Sequence, residues 1–548
     1  MSASSTKGPA AALADVLEAA EPGRSRLLGE LVDRLSGEGR LQAIGPADAP
    51  VEAVALAGPE IRGISDDSRR VRPGDLFVAI RGARTDGHDR VATAVADGAV
   101  AAIVERPVAG TGVVQLVVDR SAAALGSAAA WWYGDPTQAL AVVGVTGTDG
   151  KTTTSFLVAA ALEAAGLPTG LVGTVETRVG PVHVPTPSHV TTPGALQLQR
   201  LLRGMVTGGD RAAVIETTSH GLAADRVSGV AYDAAIFTNL THEHLEFHGT
   251  IEAYRAAKIS LFERLGRPPA VKLAGRPSLG VVNADDPAAG QFAAATRMAG
   301  ARLLTYGLAP DADIRAVSIA DRRGGLTVSV MAPGWAGELA LRLTGRFNVH
   351  NALAAVALGI GWELDPEAVR RGLEGLERVP GRMERIERGQ PFTVIVDFAH
   401  SPAALMGVLD ELGPLAAAAG GGLIAVFGSA GERDTAKRPM MGRIAGERSR
   451  LVVVTDEDPR GEDRLAILDE IAAGAEAAGR RRGTDLLVVP DRATAIVEAL
   501  GRARPGDIVV LAGKGHEPTI EGPDGALPWN ERAAAERALA ALGFGDGG

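Results

Sequence analysis

The sequence predicts an α/β protein of three domains, on three observations. Its 548 residues exceed one ordinary core, and at roughly 150–200 residues per domain the length fits about three. Short apolar runs of strand length recur along the chain, separated by stretches of helical length, which is the pattern of parallel sheets covered by helices. Most of those runs end on Gly or a polar residue, at the carboxyl ends where such sheets bind ligands.

Composition narrows the class. Hydrophobic residues make up 46% and charged residues 22% of the chain, enough for buried cores and ordinary for a soluble protein. Lys and Arg total 56 against 66 Asp and Glu, a net charge of −10. That balance argues against sequence-independent nucleic-acid binding. It leaves room for phosphate held by backbone N–H groups and a few cations. With no Cys, disulfides, thiolate metal sites and Cys nucleophiles are excluded. Residues 1–9 lack the basic-then-apolar order of a secretory signal. The longest apolar stretches, such as 139–145, are far too short to span a bilayer. The expectation is a cytoplasmic protein without membrane insertion. Nothing in the sequence marks a dimer interface, so a monomer is expected.

Taken in order, residues 1–26 are rich in Ala, Ser, Gly and Pro and are expected to form a flexible or weakly helical tail. Residues 27–137 read as a small α/β domain, with strands at 76–80 and 101–104 and a helix at 91–97. Gly134-Asp135-Pro136 marks its end, because Pro disfavours helix in the residue before it. Residues 138–377 form the central domain. Its first strand, 140–145, is apolar throughout, as a strand buried on both faces must be, and 212–216, 234–238 and 279–283 follow. Residues 378–548 carry five further runs, at 393–397, 423–428, 451–455, 486–489 and 508–512, and read as a Rossmann-like doubly wound domain.

The chemistry is concentrated behind these strands. Gly144-Val145-Thr146-Gly147-Thr148-Asp149-Gly150-Lys151-Thr152-Thr153 follows a strand and opens a helix. Glycines there let backbone N–H groups turn toward phosphate oxygens, Lys151 can reach the β- and γ-phosphates, and Thr152 can ligate Mg²⁺. Val145 sits where the general phosphate-loop pattern has its first Gly. Glu216 ends the next strand candidate, placed to hold a metal directly or through water. The segment 238–249 packs three His, two Glu and an Asn behind another strand. Zinc suits three His, but beside a nucleotide loop magnesium is the expectation, with His242 a solvated residue.

The combination of Gly147–Thr153, Glu216 and Thr238-Asn239-Leu240 through His244 resembles the Mur ligase family. The likeness runs over nearly the whole chain from about Leu27. It implies a peptidoglycan precursor ligase that uses ATP and Mg²⁺ to activate a carboxylate as an acyl-phosphate, which an amine then attacks. It also implies roles for the three domains: uridine-nucleotide binding, a central phosphate-loop ATPase, and amino-acid binding. The residues after Asp67-Ser68-Arg69 resemble most the branch that takes UDP-MurNAc-L-Ala-D-Glu and a diamino acid. In that branch Ser68, Thr191, Thr192, Thr218 and Arg226 match contacts to the UDP-substrate, His189 opens the Thr191 loop, and Ala224 stands where Gln is usual. Gly147, Thr148, Asp149, Gly150, Lys151, Thr152, Thr153, Asn348, Asn351, Arg382 and Asp397 match ATP contacts. The resemblance gives Lys151, Glu216, His244 and Lys258 catalytic parts. Thr152, Glu216, His244 and a carbamylated Lys258 would hold the metal. Read without the family, Lys258 is a surface helix lysine.

Arg433, Glu457, Asp458, Pro459, Arg460, Gly513 and Glu517 match the amino-acid contacts. Arg460 would bind the distal carboxylate of meso-2,6-diaminopimelate and Glu517 its distal ammonium, which favours that substrate. Asp458 stands where the family has Asn, and its charge favours the alternative of L-lysine or L-ornithine by repelling a bound carboxylate. The segment Pro528-Trp529-Asn530-Glu531-Arg532 also departs from the family's usual S-D-R-E form. An alternative of another class is a phosphate-loop ATPase switch or binding protein. It has no use for Arg433, Arg460 and Glu517. A folylpolyglutamate synthase has no use for the Ser68 domain.

Overall fold

The most apolar strands of the sequence lie at the centre of its sheets. A computed structural model describes residues 8–45, 58–82, 85–186, 190–241, 243–266, 272, 276–322 and 324–545. The chain divides into two compact units. One gathers the residues up to Val317 together with Val330–Gly337 and His350–Leu373; the other holds Ser318–Ser329, Glu338–Val349 and Glu374–Gly548.

Among the described residues the first unit carries, beside the two-stranded pair of Arg26–Leu27 with Glu60–Ile61, two large sheets. The smaller has five strands in the order Leu41–Gly45, Val114–Val118, Ala101–Val104, Asp75–Val78, Gly63–Ser65. Its pairings are parallel except the first. Helix Ser121–Trp132 is buried along nearly its whole length and ties this sheet's region to the next. Arg120, just before it, pairs with Asp225, and Arg34 pairs with Asp135 at 2.7 Å.

The larger sheet has eleven strands. Its parallel core runs Thr169–Val172, Ala212–Glu216, Ala141–Thr146, Ala234–Phe237, Leu279–Asn283 and Arg302–Gly307. Ala141–Thr146 is buried at every position, as its unbroken apolar run requires. Its register pairs Val145 with Glu216 and Thr146 with Phe237, so the carboxyl ends of three strands open onto one place. Phe237 stacks on Phe292 beneath it, ring centroids 3.7 Å apart. Each such ring contributes about 1.5–3 kcal/mol by leaving water.

The second unit is built on six strands in the order Glu384–Ile386, Thr393–Asp397, Ile508–Ala512, Leu423–Phe427, Leu451–Val454, Leu486–Val488. All pair in parallel except the first. Helices Pro402–Ala418, Lys437–Arg448 and Arg464–Ala477 bury their apolar residues against one face, Arg492–Gly501 and Glu531–Ala541 against the other. This is a doubly wound sheet.

The expected tail is in part a helix. Pro9–Ala19 begins with Pro at its first turn, where the missing N–H costs nothing. Leu13 enters the core of the larger sheet with Val16 and Leu17 packed beside it. Arg200 fastens the end of the helix, donating to the Leu17 carbonyl at 3.2 Å and pairing with Glu21 at 2.7 Å. Strands 169–172, 176–179 and 182–185, and the meander Ile314–Arg322, Gly325–Ala332, Trp335–Leu341, are additions to the strands expected from sequence. Among the described residues no helix is long and apolar enough to cross a membrane.

Candidate functional site

Helix Lys151–Ala164 starts directly after the strand Ala141–Thr146 and the loop Gly147–Gly150. Two glycines make that loop possible. Gly150 has φ +78°, and a Cβ there would stand 2.5 Å from Asn351 Oδ1; a Cβ on Gly147 would collide with Thr238 Oγ1 at 1.8 Å. The loop is braced from the neighbouring strand end. Thr148 N donates to Asn239 O and Asp149 N to Asn239 Oδ1, both at 2.8 Å, and Thr238 Oγ1 donates to Asp149 O at 2.6 Å. Lys151 Nζ lies folded over the loop, donating to Gly147 O at 3.0 Å and Thr148 O at 2.6 Å. Thr152 and Thr153 are buried in the first turn of the helix. Asn351 accepts from Thr154 Oγ1 at 3.1 Å. Asn348 donates to Thr344 O at 2.7 Å.

Glu216 is fully buried. Its Oε2 accepts from Thr152 Oγ1 at 3.0 Å and Thr174 Oγ1 at 2.9 Å, and its Oε1 from Thr174 N at 3.0 Å. Around it gather the threonines expected for the UDP-substrate. Thr191 Oγ1 meets Thr174 Oγ1 at 2.9 Å, Thr192 Oγ1 donates to Glu216 O at 2.8 Å and meets Thr218 Oγ1 at 3.0 Å, and Arg226 donates to Thr192 O at 3.0 Å. Burial lowers the pKa of Arg226. Ser68 stands in the five-stranded domain, on the turn Ser68–Arg70 capped by Asp67. Thr174, which joins Glu216 to Thr191, was not singled out from sequence; its place one residue past a glycine at a strand end was the available signal. His189 and His242 lie outside the described residues.

Lys258 overturns the surface-lysine reading. It is 1% exposed, donates to Gly147 O at 2.6 Å and lies 4.4 Å from the centroid of the Tyr254 ring. Burial first, then the Lys151 charge, hold its pKa well below the usual lysine range. Tyr254 also meets Thr148 Oγ1 at 3.1 Å. His244 takes a left-handed backbone, φ +57°. Its ring lies 4.7 Å from that of His220, edge-on, between Glu243 at 3.8 Å and Glu246 at 3.6 Å. Burial, then His244 and His248, push His220 down to about 4.

Of the four expected metal ligands, Thr152 and Glu216 are in direct contact, and Lys258 lies against the same loop at Gly147 O. Among the described residues no three His, Asp or Glu side chains form a metal-binding group. His244 packs edge-on against His220. Thr152 and Glu216 do come together, and hydroxyl and carboxylate oxygens suit Mg²⁺. Among the described residues no cation bonds the Glu216 carboxylate, whose recorded donors are all neutral. A buried carboxylate in that state favours a cation.

In the second unit the expected residues fall at strand ends. Asp397 accepts from Met383 N and Ala399 N, both at 2.8 Å, which clamps the 381–383 turn onto its strand. Burial raises its pKa and the Arg382 charge opposes the rise. Arg382 lies over the Phe398 ring at 4.8 Å. Arg433 is exposed on the loop after Leu423–Phe427. Glu457 is buried, and among the described residues none donates to its Oε2. Gly431 N donates to Asp458 O at 2.8 Å, and Glu462 N to Pro459 O at 3.1 Å. Gly513, with φ +102°, donates to Asp397 O at 3.1 Å.

Lys514 is a residue to which the sequence reading assigned no role. It is 1% exposed and bonds Asp458 Oδ1 at 2.8 Å and Glu517 Oε2 at 2.6 Å. This corrects the repulsion expected at Asp458: a buried ammonium offsets the charge that replaces the family's amide. Arg460 donates through Nε to Glu521 Oε2 at 2.9 Å. Beneath these loops Arg492 and Glu531 form a fully buried pair at 2.6 Å. Arg492 also donates to Asp456 O at 2.9 Å and Ala512 O at 2.8 Å, fixing the two strand ends that carry Glu457–Asp458 and Gly513–Lys514.

Comparison with known proteins covers the same three regions. The Mur ligase family catalytic domain matches residues 60–133, the Mur ligase middle domain 145–359, and the Mur ligase glutamate ligase domain 381–515. The UDP-N-acetylmuramyl-tripeptide synthetase of Roseiflexus sp. (strain RS-1) is 50% identical over 495 residues, 89% of this chain and 96% of that protein. The UDP-N-acetylmuramoyl-L-alanyl-D-glutamate--2,6-diaminopimelate ligase of Geobacter metallireducens is 42% identical over 443 residues, 81% of this chain and 84% of that protein. A solved structure of a ligase of the latter name is 28% identical, with a TM-score of 0.66 over 95% of this chain and 100% of that one.

Proposed function

The chain belongs to the Mur ligase family, and on that premise we propose that it adds meso-2,6-diaminopimelate to the D-Glu of UDP-MurNAc-L-Ala-D-Glu at the expense of ATP. One observation carries this reading. Glu216 bonds Thr152 of the phosphate loop and Thr174 of the threonine cluster with the same carboxylate oxygen. A nucleotide phosphate and a substrate carboxylate bound at those two places would meet. The names of the relatives support the substrate, and Arg460 with Glu517 supports the diamino acid. Such substrates suit a cytoplasmic reaction, and the protein is proposed to act as a monomer.

The reaction follows from the residues. Lys151 leaves Gly147 O and Thr148 O for the ATP phosphates, where loop amides and the start of helix Lys151–Ala164 add positive potential. The D-Glu γ-carboxylate attacks the γ-phosphorus, the bond to the β-phosphate oxygen breaks, and ADP leaves an acyl-phosphate. Thr152 and Glu216 would hold Mg²⁺, which would supply charge neutralisation on the phosphates. The neutral amine of the diamino acid then attacks the acyl carbon, phosphate departs with the bonding pair, and the amide nitrogen loses its proton. Fixed donors aimed at the transferring phosphoryl group account for most of the acceleration expected of such a site. Replacing Lys151 by Ala is expected to abolish product while the melting temperature and far-UV spectrum stay unchanged. Ligation at the normal rate by a folded Lys151→Ala protein would overturn the proposal.

A further inference from the structure

We propose that Glu521 is a specificity-determining residue: it occupies Arg460 from within the chain and competes with the distal carboxylate of the incoming diamino acid. The inference rests on the ligase reading above and goes beyond it in naming what tunes selectivity. Strand Thr519–Gly522, paired with Gly525–Pro528, runs along the 458–460 segment. Glu521 N donates to Asp458 Oδ1 at 2.8 Å, Arg460 N donates to Glu521 O at 2.9 Å, and Arg460 Nε donates to Glu521 Oε2 at 2.9 Å. Arg460 is held at φ +53°, a backbone region that costs a non-glycine residue energy. Its main chain and its side chain are thus both fastened to one partner.

The rest of the cluster leaves Arg460 as the cation to be shared. Lys514 is buried and bonds two carboxylates, Asp458 and Glu517. The side chains of Arg460 and Glu521 keep 23% and 31% of their surface in water, so their pair can exchange with a ligand. A guanidinium has donors for two acceptors, but two carboxylates on one guanidinium repel each other. An amino acid whose far end carries a carboxylate must meet or displace Glu521. One whose far end is a bare ammonium leaves the Arg460–Glu521 pair intact. Glu521 therefore lowers the preference for diaminopimelate over lysine that Arg460 alone would impose, at the level of binding.

The test measures kcat and KM for meso-2,6-diaminopimelate and for L-lysine by phosphate release in the full-length protein, with Mg²⁺-ATP and UDP-MurNAc-L-Ala-D-Glu. Glu521→Gln keeps the side chain's size, and Glu521→Thr, suited to a strand, repeats the test should the amide disturb the hairpin. Both are expected to lower KM for diaminopimelate about two- to fivefold, the effect of one part-exposed charge. KM for lysine, kcat and KM for ATP should stay unchanged. An unchanged or reduced ratio of the two kcat/KM values in both variants overturns the inference and leaves the ligase reading standing. Wild-type phosphate release indifferent to amino acid overturns the ligase reading and this inference with it.

Discussion

Lys258 and Glu216 bring opposite charges' problems into one interior. Glu216 stays buried among neutral donors, and Lys258 answers burial by a lowered pKa. A neutral amine is the form that adds CO₂, and the resulting carbamate is an oxygen ligand. With ¹³C-bicarbonate, a carbamate resonance is expected from the wild type and not from Lys258→Arg, whose side chain stays charged; equal spectra would exclude the modification. Arg492 poses a structural counterpart. Removing it in Arg492→Met leaves Glu531 as an uncompensated buried charge, expected to cost about 3–5 kcal/mol. Urea unfolding followed at the second unit reads the loss, and Arg492→Met with Glu531→Leu should recover most of it. A single variant as stable as the wild type would show that the pair adds nothing. Neither Lys258 nor Lys514 looked special in isolation, because burial is a property of the folded neighbourhood. Five of the non-glycine residues at positive φ, Asp225, His244, Met383, Glu432 and Arg460, are or adjoin residues named from the motifs, and strain of that kind leaves no mark on spacing.

At the scale of elements, most of the buried parallel strands were legible, though the short Thr169–Val172 was not, and the half-exposed strands were missed. Leu279–Asn283, Thr393–Asp397 and Ile508–Ala512 fall where their apolar runs put them, since a strand covered on both faces is apolar throughout. The meander 314–341 buries only alternate residues, as Leu326, Val328 and Val330 show, and its polar half hides it. Helix Pro9–Ala19 was expected as no more than a weakly helical stretch of a tail, for another reason. Its Ala-rich composition resembles a loose tail, and only Leu13, Val16 and Leu17, which pack against the core, give the helix its purpose. Leu13→Ala is expected to cost about 2–3 kcal/mol, below the range for deeper leucines because the site lies at the core's edge. Deleting residues 1–22 should lower the first unit's melting temperature while the second unit's transition stays put. A truncated protein with an unchanged first transition would return the segment to the status of a tail.

For the molecule as a whole, the chemistry is divided between the two units. The first unit holds the phosphate loop, Glu216 and the threonine cluster; the second holds Asp397 and the Arg460–Lys514 set. The sequence showed both sets because each sits behind an apolar strand. It did not show which side chains pair, so Asp458 looked like a repulsive charge until Lys514 was found against it. A ligase needs both sets in one turnover, whereas an ATPase switch needs only the first. The most direct measurement is therefore phosphate release from Mg²⁺-ATP with UDP-MurNAc-L-Ala-D-Glu present or absent, and with meso-2,6-diaminopimelate, L-lysine or L-ornithine added singly. Release that requires both the UDP-substrate and an amino acid, and is fastest with diaminopimelate, is the expected result. Release that proceeds at the same rate without either of them would contradict the ligase assignment.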